Sequence, residues 1–248
     1  MKAMILAAGL GTRLRPLTDN RPKALVELSG HTLLEITISR LRAFGVNEII
    51  INIHHFADML IDYLKSHKSF GMRIEISRED VLLDTGGGLK KAAWFFLEDS
   101  SRLDEPFLLH NVDVISNVDF RAMLQFHTEN QALATLAIQA RETSRPLLFN
   151  DHLQLCGRRA GPDHEAEIVR TSPHLEPLAF SGIHVISCRL LPMLSEEGVF
   201  SIIPSYLRLS AQGEKILAFR ADQYYWRDLG KPADLAQAAL DLRQGVFT

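Results

Sequence analysis

The chain has 248 residues, 46% of them hydrophobic and 23% charged, the balance of a soluble globular protein long enough to bury a core without disulfides or a structural metal. Lys plus Arg number 27 against 30 for Asp plus Glu, a formal net charge of −3, so the global basic excess of a nucleic-acid binder is missing. The two cysteines, Cys156 and Cys188, form neither a CxxC pair nor a disulfide framework and point to a reducing compartment. No apolar run approaches the ~20 residues of a membrane helix. The apolar start, Met4 to Ala8, is too short for a signal peptide and is followed at once by Arg13, Arg15 and Arg21. It reads as a buried strand of a cytoplasmic protein, with no nucleic-acid or membrane partner expected.

In chain order, Lys2–Ala7 predicts the first strand. Within 32–44, Leu34, Ile38 and Leu41 recur at i, i+4 and i+7, which predicts a helix. Glu48–Ile53 is a continuous β-rich run, and in 57–65 Met59, Leu60, Tyr63 and Leu64 share one helical face. A third strand follows at 72–77, a helix at 89–97, a fourth strand at 106–110, a helix marked by Phe120, Met123, Leu124 and His127, and a strand at 132–139. This β-α-β-α order, with strands apolar on both faces, predicts an α/β fold: a mostly parallel, Rossmann-like sheet flanked by helices. In such sheets ligands bind beyond the carboxyl ends of the strands.

After Ala140 the pattern becomes mixed. Residues 145–156 predict a hairpin turning at Asn150-Asp151, and the polar run 157–165 a loop. Segments 178–186 and 216–219 read as strands, the region near Leu190 and 201–210 as helices, and 232–242 as a closing helix with proline in its first turn. There is no internal repeat or interdomain linker.

The segment after the first strand, Leu6-Ala7-Ala8-Gly9-Leu10-Gly11-Thr12-Arg13-Leu14-Arg15-Pro16, joins small residues that let a ligand approach the backbone to a guanidinium fork suited to phosphate. Lys23 brings a second cation to the same edge. A dinucleotide fingerprint fails because Leu14 stands at its third glycine, and no GxxxxGK[ST] string exists. Gly9-Leu10-Gly11-Thr12-Arg13-Leu14, with Pro16, Thr18, Pro22-Lys23 and Leu25 behind it, closely resembles the GxGTRLxPxTxxxPKxL signature of the sugar-1-phosphate nucleotidyltransferases (NDP-sugar pyrophosphorylases). The resemblance implies that Leu6, Ala8, Gly9, Gly11, Thr12 and Arg13 bind a nucleotide. It makes Arg13, Lys23 and Asp113 catalytic. It also implies one domain over 1–248: a nucleotide half to about 139, a smaller mixed acceptor half at about 140–230, then a closing helix and tail.

Asp113 in His110-Asn111-Val112-Asp113 follows the fourth strand, and Asp228 in Arg227-Asp228-Leu229-Gly230 precedes the last helix. Hard cations such as Mg²⁺ take one or two carboxylates plus phosphate oxygens. By resemblance Asp113 and Asp228 hold the catalytic Mg²⁺. The family's usual string is Asn-Gly-Asp or Asn-Ala-Asp, so Val112 is a departure on the substrate side. A second glycine run, Asp84-Thr85-Gly86-Gly87-Gly88, looks most like the branch containing N-acetylmuramate-1-phosphate uridylyltransferases and manno-heptose- or mannose-1-phosphate guanylyltransferases. There Gly86 and Gly87 are expected to touch the base and Glu79 to accept from it. Phe180-Ser181-Gly182-Ile183 resembles the family's F-[ST]-G-I segment beside the sugar, which makes Asn111, Gly182 and Glu176 acceptor-binding. Some relatives carry a lysine between Glu176 and Pro177 that grips the sugar phosphate. This chain lacks it, and Arg145 is the candidate replacement.

The ten histidines show no HExxH spacing, and no GxSxG elbow is present. The expected activity is transfer of a nucleoside monophosphate from UTP or GTP to a sugar 1-phosphate, with Mg²⁺ as cofactor, by a monomer or small homo-oligomer. Two alternatives stand beside it: a cytidylyltransferase for phosphocholine or a similar phosphate, and a catalytically silent nucleotide-sugar-binding subunit.

Overall fold

The computed structural model describes residues 1–99, 105–161 and 164–246. In chain order the elements are β1 (Lys2–Leu6), β2 (Glu27–Leu28), β3 (His31–Thr32), α1 (Leu33–Ala43), β4 (Glu48–Ile53), α2 (Ala57–Ser66), β5 (Arg73–Arg78), α3 (Asp84–Leu97), β6 (Phe107–Asn111), β7 (Val114–Ser116), α4 (Phe120–Glu129), β8 (Ala134–Gln139), β9 (Leu147–Phe149), β10 (Leu155–Arg159), β11 (Ala166–Ile168), β12 (Glu176–Ile186), α5 (Ile202–Ala211), β13 (Ile216–Arg220), β14 (Trp226–Asp228) and α6 (Pro232–Arg243).

The large sheet runs β11-β10-β9-β12-β6-β1-β4-β5, with β8 beside β12 and β13 beside β8. Strands β6, β1, β4 and β5 are parallel neighbours. The long strand β12 pairs antiparallel with β6, β8 and β9 and joins this half to the mixed one. Period-two alternation sends side chains to opposite faces. Ala3, Ile5, Ile49, Ile51 and Leu108 bury against α1, α2, α4 and α6. Met4, Ile50, Phe107 and Leu109 bury against α3 and α5. A sheet covered on both faces explains why its strands read as unbroken apolar runs.

Local chemistry starts the helices. Thr32 Oγ1 accepts from Glu35 N at 3.1 Å to cap α1, and Asp119 Oδ1 accepts from Arg121 N and Ala122 N to cap α4. Three features depart from the sequence reading. Helix α3 starts at Asp84, five residues before the predicted 89, because the glycine run is helical. The run 157–165 is not all loop: Gly157–Arg159 belongs to β10, pairing with β11 and β9, while 162–163 lie outside the described residues. The short pairs β7–β14 and β2–β3 were not predicted. Among the described residues no helix is long and apolar enough to cross a membrane.

Three histidines are sealed inside. His110 and His184 are 1% exposed and His127 3%. Burial lowers their pKa values to about 4 for His110 and His127 and about 3 for His184. Below about pH 6.5 the unfolded chain takes up protons that these rings refuse. Their stabilisation is therefore full above pH 6.5 and is lost as pH falls toward 4. We expect the urea midpoint to drop between pH 7 and pH 5, and to drop less in His127→Gln. A midpoint that is flat or higher at pH 5 would contradict this burial.

Candidate active site

Strands β6, β1 and β4 end side by side, and beyond their carboxyl ends opens a cleft of about 400 Å³. A polar residue inside the apolar run of β4 ties its floor together. Asn52, 3% exposed, accepts from Ala7 N at 2.8 Å and donates to Glu79 Oε1 at 2.8 Å. The chain then turns at Gly11, where φ is 65° and a Cβ would stand 2.9 Å from Thr18 Cγ2. The Thr18 hydroxyl donates to Gly11 O at 2.8 Å. The amides of Ala8, Gly9, Leu10 and Gly11 donate to nothing among the described residues. Free backbone donors on a concave loop make an anion-binding nest.

Leu14, fully buried, anchors the following short 3₁₀ turn in the core, and the preceding Arg13 faces the cleft. Its guanidinium lies against Gly230, where a Cβ would be 2.6 Å from Nη2 and 2.5 Å from Asp228 Oδ1. Glycine thus lets arginine and carboxylate both approach the same stretch of bare backbone.

Strand β14 pairs antiparallel with β7, placing Asp228 opposite Val114, and Leu229 N donates to Asp113 O at 2.7 Å. Two carboxylates far apart in the chain therefore stand side by side. Lys23, 8% exposed, pairs with Asp113. Asp228 Oδ1 accepts from Gly230 N at 2.6 Å. Burial raises the Asp228 pKa above the ordinary carboxylate value; the neighbouring Asp113 charge adds to this, while Lys23, the Gly230 amide and Arg13 oppose it. Adjacent carboxylates that repel each other are the hard-oxygen donors a divalent cation takes. Among the described residues no third His, Cys, Asp or Glu joins them, so further ligands would come from phosphate and water.

Leu6, Ala8, Gly9, Gly11, Thr12, Arg13, Lys23, Asn111 and Asp113 all line this cleft, as does buried Val112. Other expected contacts lie elsewhere. Glu79 is 2% exposed, and its two oxygens accept from Asn52 Nδ2 and Leu83 N; it braces the loop and does not line the cleft. Gly86 and Gly87 are buried in α3 and donate to Phe200 O at 2.9 and 3.1 Å. A Cβ on Gly86 would overlap the Phe200 ring, and one on Gly87 would stand 2.5 Å from Gly198 O. They admit the 198–200 segment against the helix, and Leu82, Asp84, Thr85 and Val199 line the cleft there. Gly182 sits behind the site, its Cβ position 2.8 Å from Asn111 Nδ2. Glu176 pairs with Arg220 at 2.7 Å outside the cleft. Arg145 is exposed on a turn, with no side-chain partner among the described residues.

The sequence reading missed Asn52, whose signal was a lone amide in an isoleucine strand. It also missed Arg141, at the end of β8, which stacks over Trp226 with 3.7 Å from Cζ to the ring centroid. Nothing in its sequence neighbourhood distinguishes it from Arg145.

Comparison with known proteins bears on the family and the fold. Residues 2–149 match the family described as nucleotidyl transferase. The chain is 34% identical to an N-acetylmuramate alpha-1-phosphate uridylyltransferase of Caulobacter vibrioides, over 96% of this chain and 95% of that one. It is 31% identical to a mannose-1-phosphate guanyltransferase beta-B of Xenopus laevis, covering 94% of this chain but 62% of the longer enzyme. In fold it resembles a UDP-glucose pyrophosphorylase solved with UDP-glucose (TM-score 0.78, 18% identity, 98% of each chain). It also resembles HddC from Yersinia pseudotuberculosis in complex with GMP-PN (TM-score 0.75, 21% identity, 97% of this chain and 99% of that one).

Two stability outcomes follow. Because the raised Asp228 pKa marks a destabilising charge, Asp228→Asn should raise Tm at pH 7 by a few degrees without added divalent cation. The gain should shrink as pH falls and the parent carboxyl takes up its proton; a lower Tm at pH 7 would refute the arrangement. Gly87→Ala should cost about 1–3 kcal/mol through overpacking against backbone, read as a Tm several degrees lower.

Proposed function

The chain belongs to the nucleotidyl transferase family, and from that premise we propose that it transfers a nucleoside monophosphate from UTP or GTP to a sugar 1-phosphate. One observation carries this reading: Arg13, Lys23 and Asp113, from three separate segments, line one cleft with a loop of free backbone amides, and Asp228 stands beside its wall at Gly230. The 34% identity to a uridylyltransferase and 31% to a guanyltransferase support UTP and GTP as donors.

An oxygen of the acceptor phosphate attacks the α-phosphorus. A phosphorus–oxygen bond forms there, the α–β bridge bond breaks, and pyrophosphate leaves with the electron pair. The acceptor is already an anion, so no side chain need remove a proton. The barrier is electrostatic and entropic: two polyanions must be brought together and held in line. The amides of residues 8–11 receive phosphate oxygens. Arg13 presents its fork to the departing pyrophosphate. Lys23, with three donors and one given to Asp113, turns the others toward the α-phosphate. Asp113 and Asp228 would hold Mg²⁺, whose chemistry there is neutralisation of phosphate charge.

Pyrophosphate release across four triphosphates and a panel of sugar 1-phosphates tests the reading. UTP or GTP with a sugar phosphate should be productive. Release only with CTP and phosphocholine would favour the cytidylyltransferase, and nucleotide binding without any release the silent subunit. Asp113→Asn should lower kcat by about 10²–10³ or more, on the scale of losing one preorganised electrostatic group, with its melting transition preserved. Mg²⁺ should raise the Tm of the parent and not that of Asp113→Asn; near-normal turnover of the variant would reject the metal assignment.

A further inference from the structure

A second groove, of about 520 Å³, is lined by Gln139, Ala140, Arg141, Arg220 and Asp222 at the ends of β8 and β13. Its charges are unequally matched. Arg220 is already paired, to Glu176 at 2.7 Å and to Asp222 at 2.6 Å. Asp222 also accepts from Ala140 N at 2.6 Å. Arg141 has no carboxylate within ion-pair distance among the described residues. Its Nη2 donates to Phe180 O at 2.7 Å, its Nε is buried without a partner, and Nη1 makes no hydrogen bond among the described residues.

The guanidinium is held nonetheless. It lies on the Trp226 ring, and that ring is pinned by Trp226 Nε1 donating to Ser181 O at 2.7 Å. Residues i and i+2 of a strand share a face, so Trp226 presents Arg141 on the side of β14 from which Asp228 projects. The Asp228 charge acts on Arg141, opposing the lowering of its pKa by burial. A half-buried cation fixed in one orientation, with donors unused and no counter-ion, is costly unless an anion completes it.

We infer that Arg141 is the acceptor-side anion site: it receives the phosphate of the sugar 1-phosphate through its unused donors, the task for which Arg145 was the candidate. The inference deepens the transfer reading and rests on it for the identity of the acceptor, though the anion site itself does not. Arg13 lines the first cleft and Arg141 the second groove, so each arginine would hold one of the two polyanions.

The chain has two tryptophans, Trp94 and Trp226, and Trp94 is 48% exposed on α3. In Trp94→Phe protein the indole emission therefore reports on the ring beneath Arg141. Titration of this protein with inorganic phosphate and with mannose 1-phosphate, with and without GTP or UTP, should give a saturable change in emission. Arg141→Gln in that background should weaken it at least tenfold. Arg141→Lys, which keeps the charge but not the fork, should weaken it severalfold, and Arg145→Gln should leave it unchanged. In turnover, Arg141→Gln should raise the acceptor KM tenfold or more and leave the nucleotide KM within twofold. A parent that shows no change in emission, or a folded Arg141→Gln or Arg141→Lys that binds like the parent, overturns the proposal. If no acceptor is turned over, the transfer reading fails while the emission titration still decides the anion site.

Discussion

Two carboxylates that repel each other are held together by backbone, and the rest of the site follows from that constraint. The short antiparallel pair β7–β14 sets Asp228 opposite Val114, and the amide after Asp228 donates to the carbonyl of Asp113. The backbones that carry the two side chains cannot separate without breaking the ladder. The surroundings offset the repulsion in part, with Lys23 on Asp113 and Arg13 beside Asp228. A second network fastens β14 to the closing helix: Tyr225 and Arg227 both donate to Asp241 of α6. The negative pair is thus braced from the far end of the chain before any ligand arrives, which is what preorganised electrostatics requires.

Around this pair the phosphate loop uses backbone where a side chain would be too mobile. The loop's own turn is locked by Thr18 on Gly11 and by Asn52 on Ala7. Its amides are unpaired among the described residues, and Ala8, Gly9 and Gly11 line the cleft. The same economy of side chains appears at the second glycine run with a different purpose. There the missing Cβ atoms admit the segment 198–200 against α3, and Phe200 O takes two helix amides. One wall of the cleft therefore comes from the second half of the chain. Val199, 61% exposed, lies across from Leu82 and Thr85.

The mixed half of the sheet is organised by β12, which touches both halves. Its Phe180 and Ser181 carbonyls hold Arg141 and Trp226, and its Gly182 leaves room for Asn111. The Phe180-Ser181-Gly182-Ile183 segment is in the structure a support for side chains from other segments of the chain. Gly182 and Glu176 themselves do not line the cleft. A motif marks where the backbone goes. It does not say which neighbour the backbone is shaped to admit.

What was legible from the sequence was whatever depends on local periodicity and on a contiguous string. Isoleucine runs at 48–53 and the i, i+4, i+7 spacing of Leu34, Ile38 and Leu41 specify a doubly covered parallel sheet, because only such a sheet buries strands on both faces. The GxGTRL string marks the phosphate loop because backbone exposure after a strand needs small residues in sequence. The start of α3, the strands β7 and β14, and the surroundings of Glu79, Gly86, Gly87 and Arg141 were decided by tertiary structure. Each depends on a partner distant in the chain: Phe200 for the glycines, Asn52 for Glu79, Trp226 for Arg141, Asp113 for Asp228. Charge and shape complementarity between such partners arises from their separation in space, which the linear order of residues does not encode.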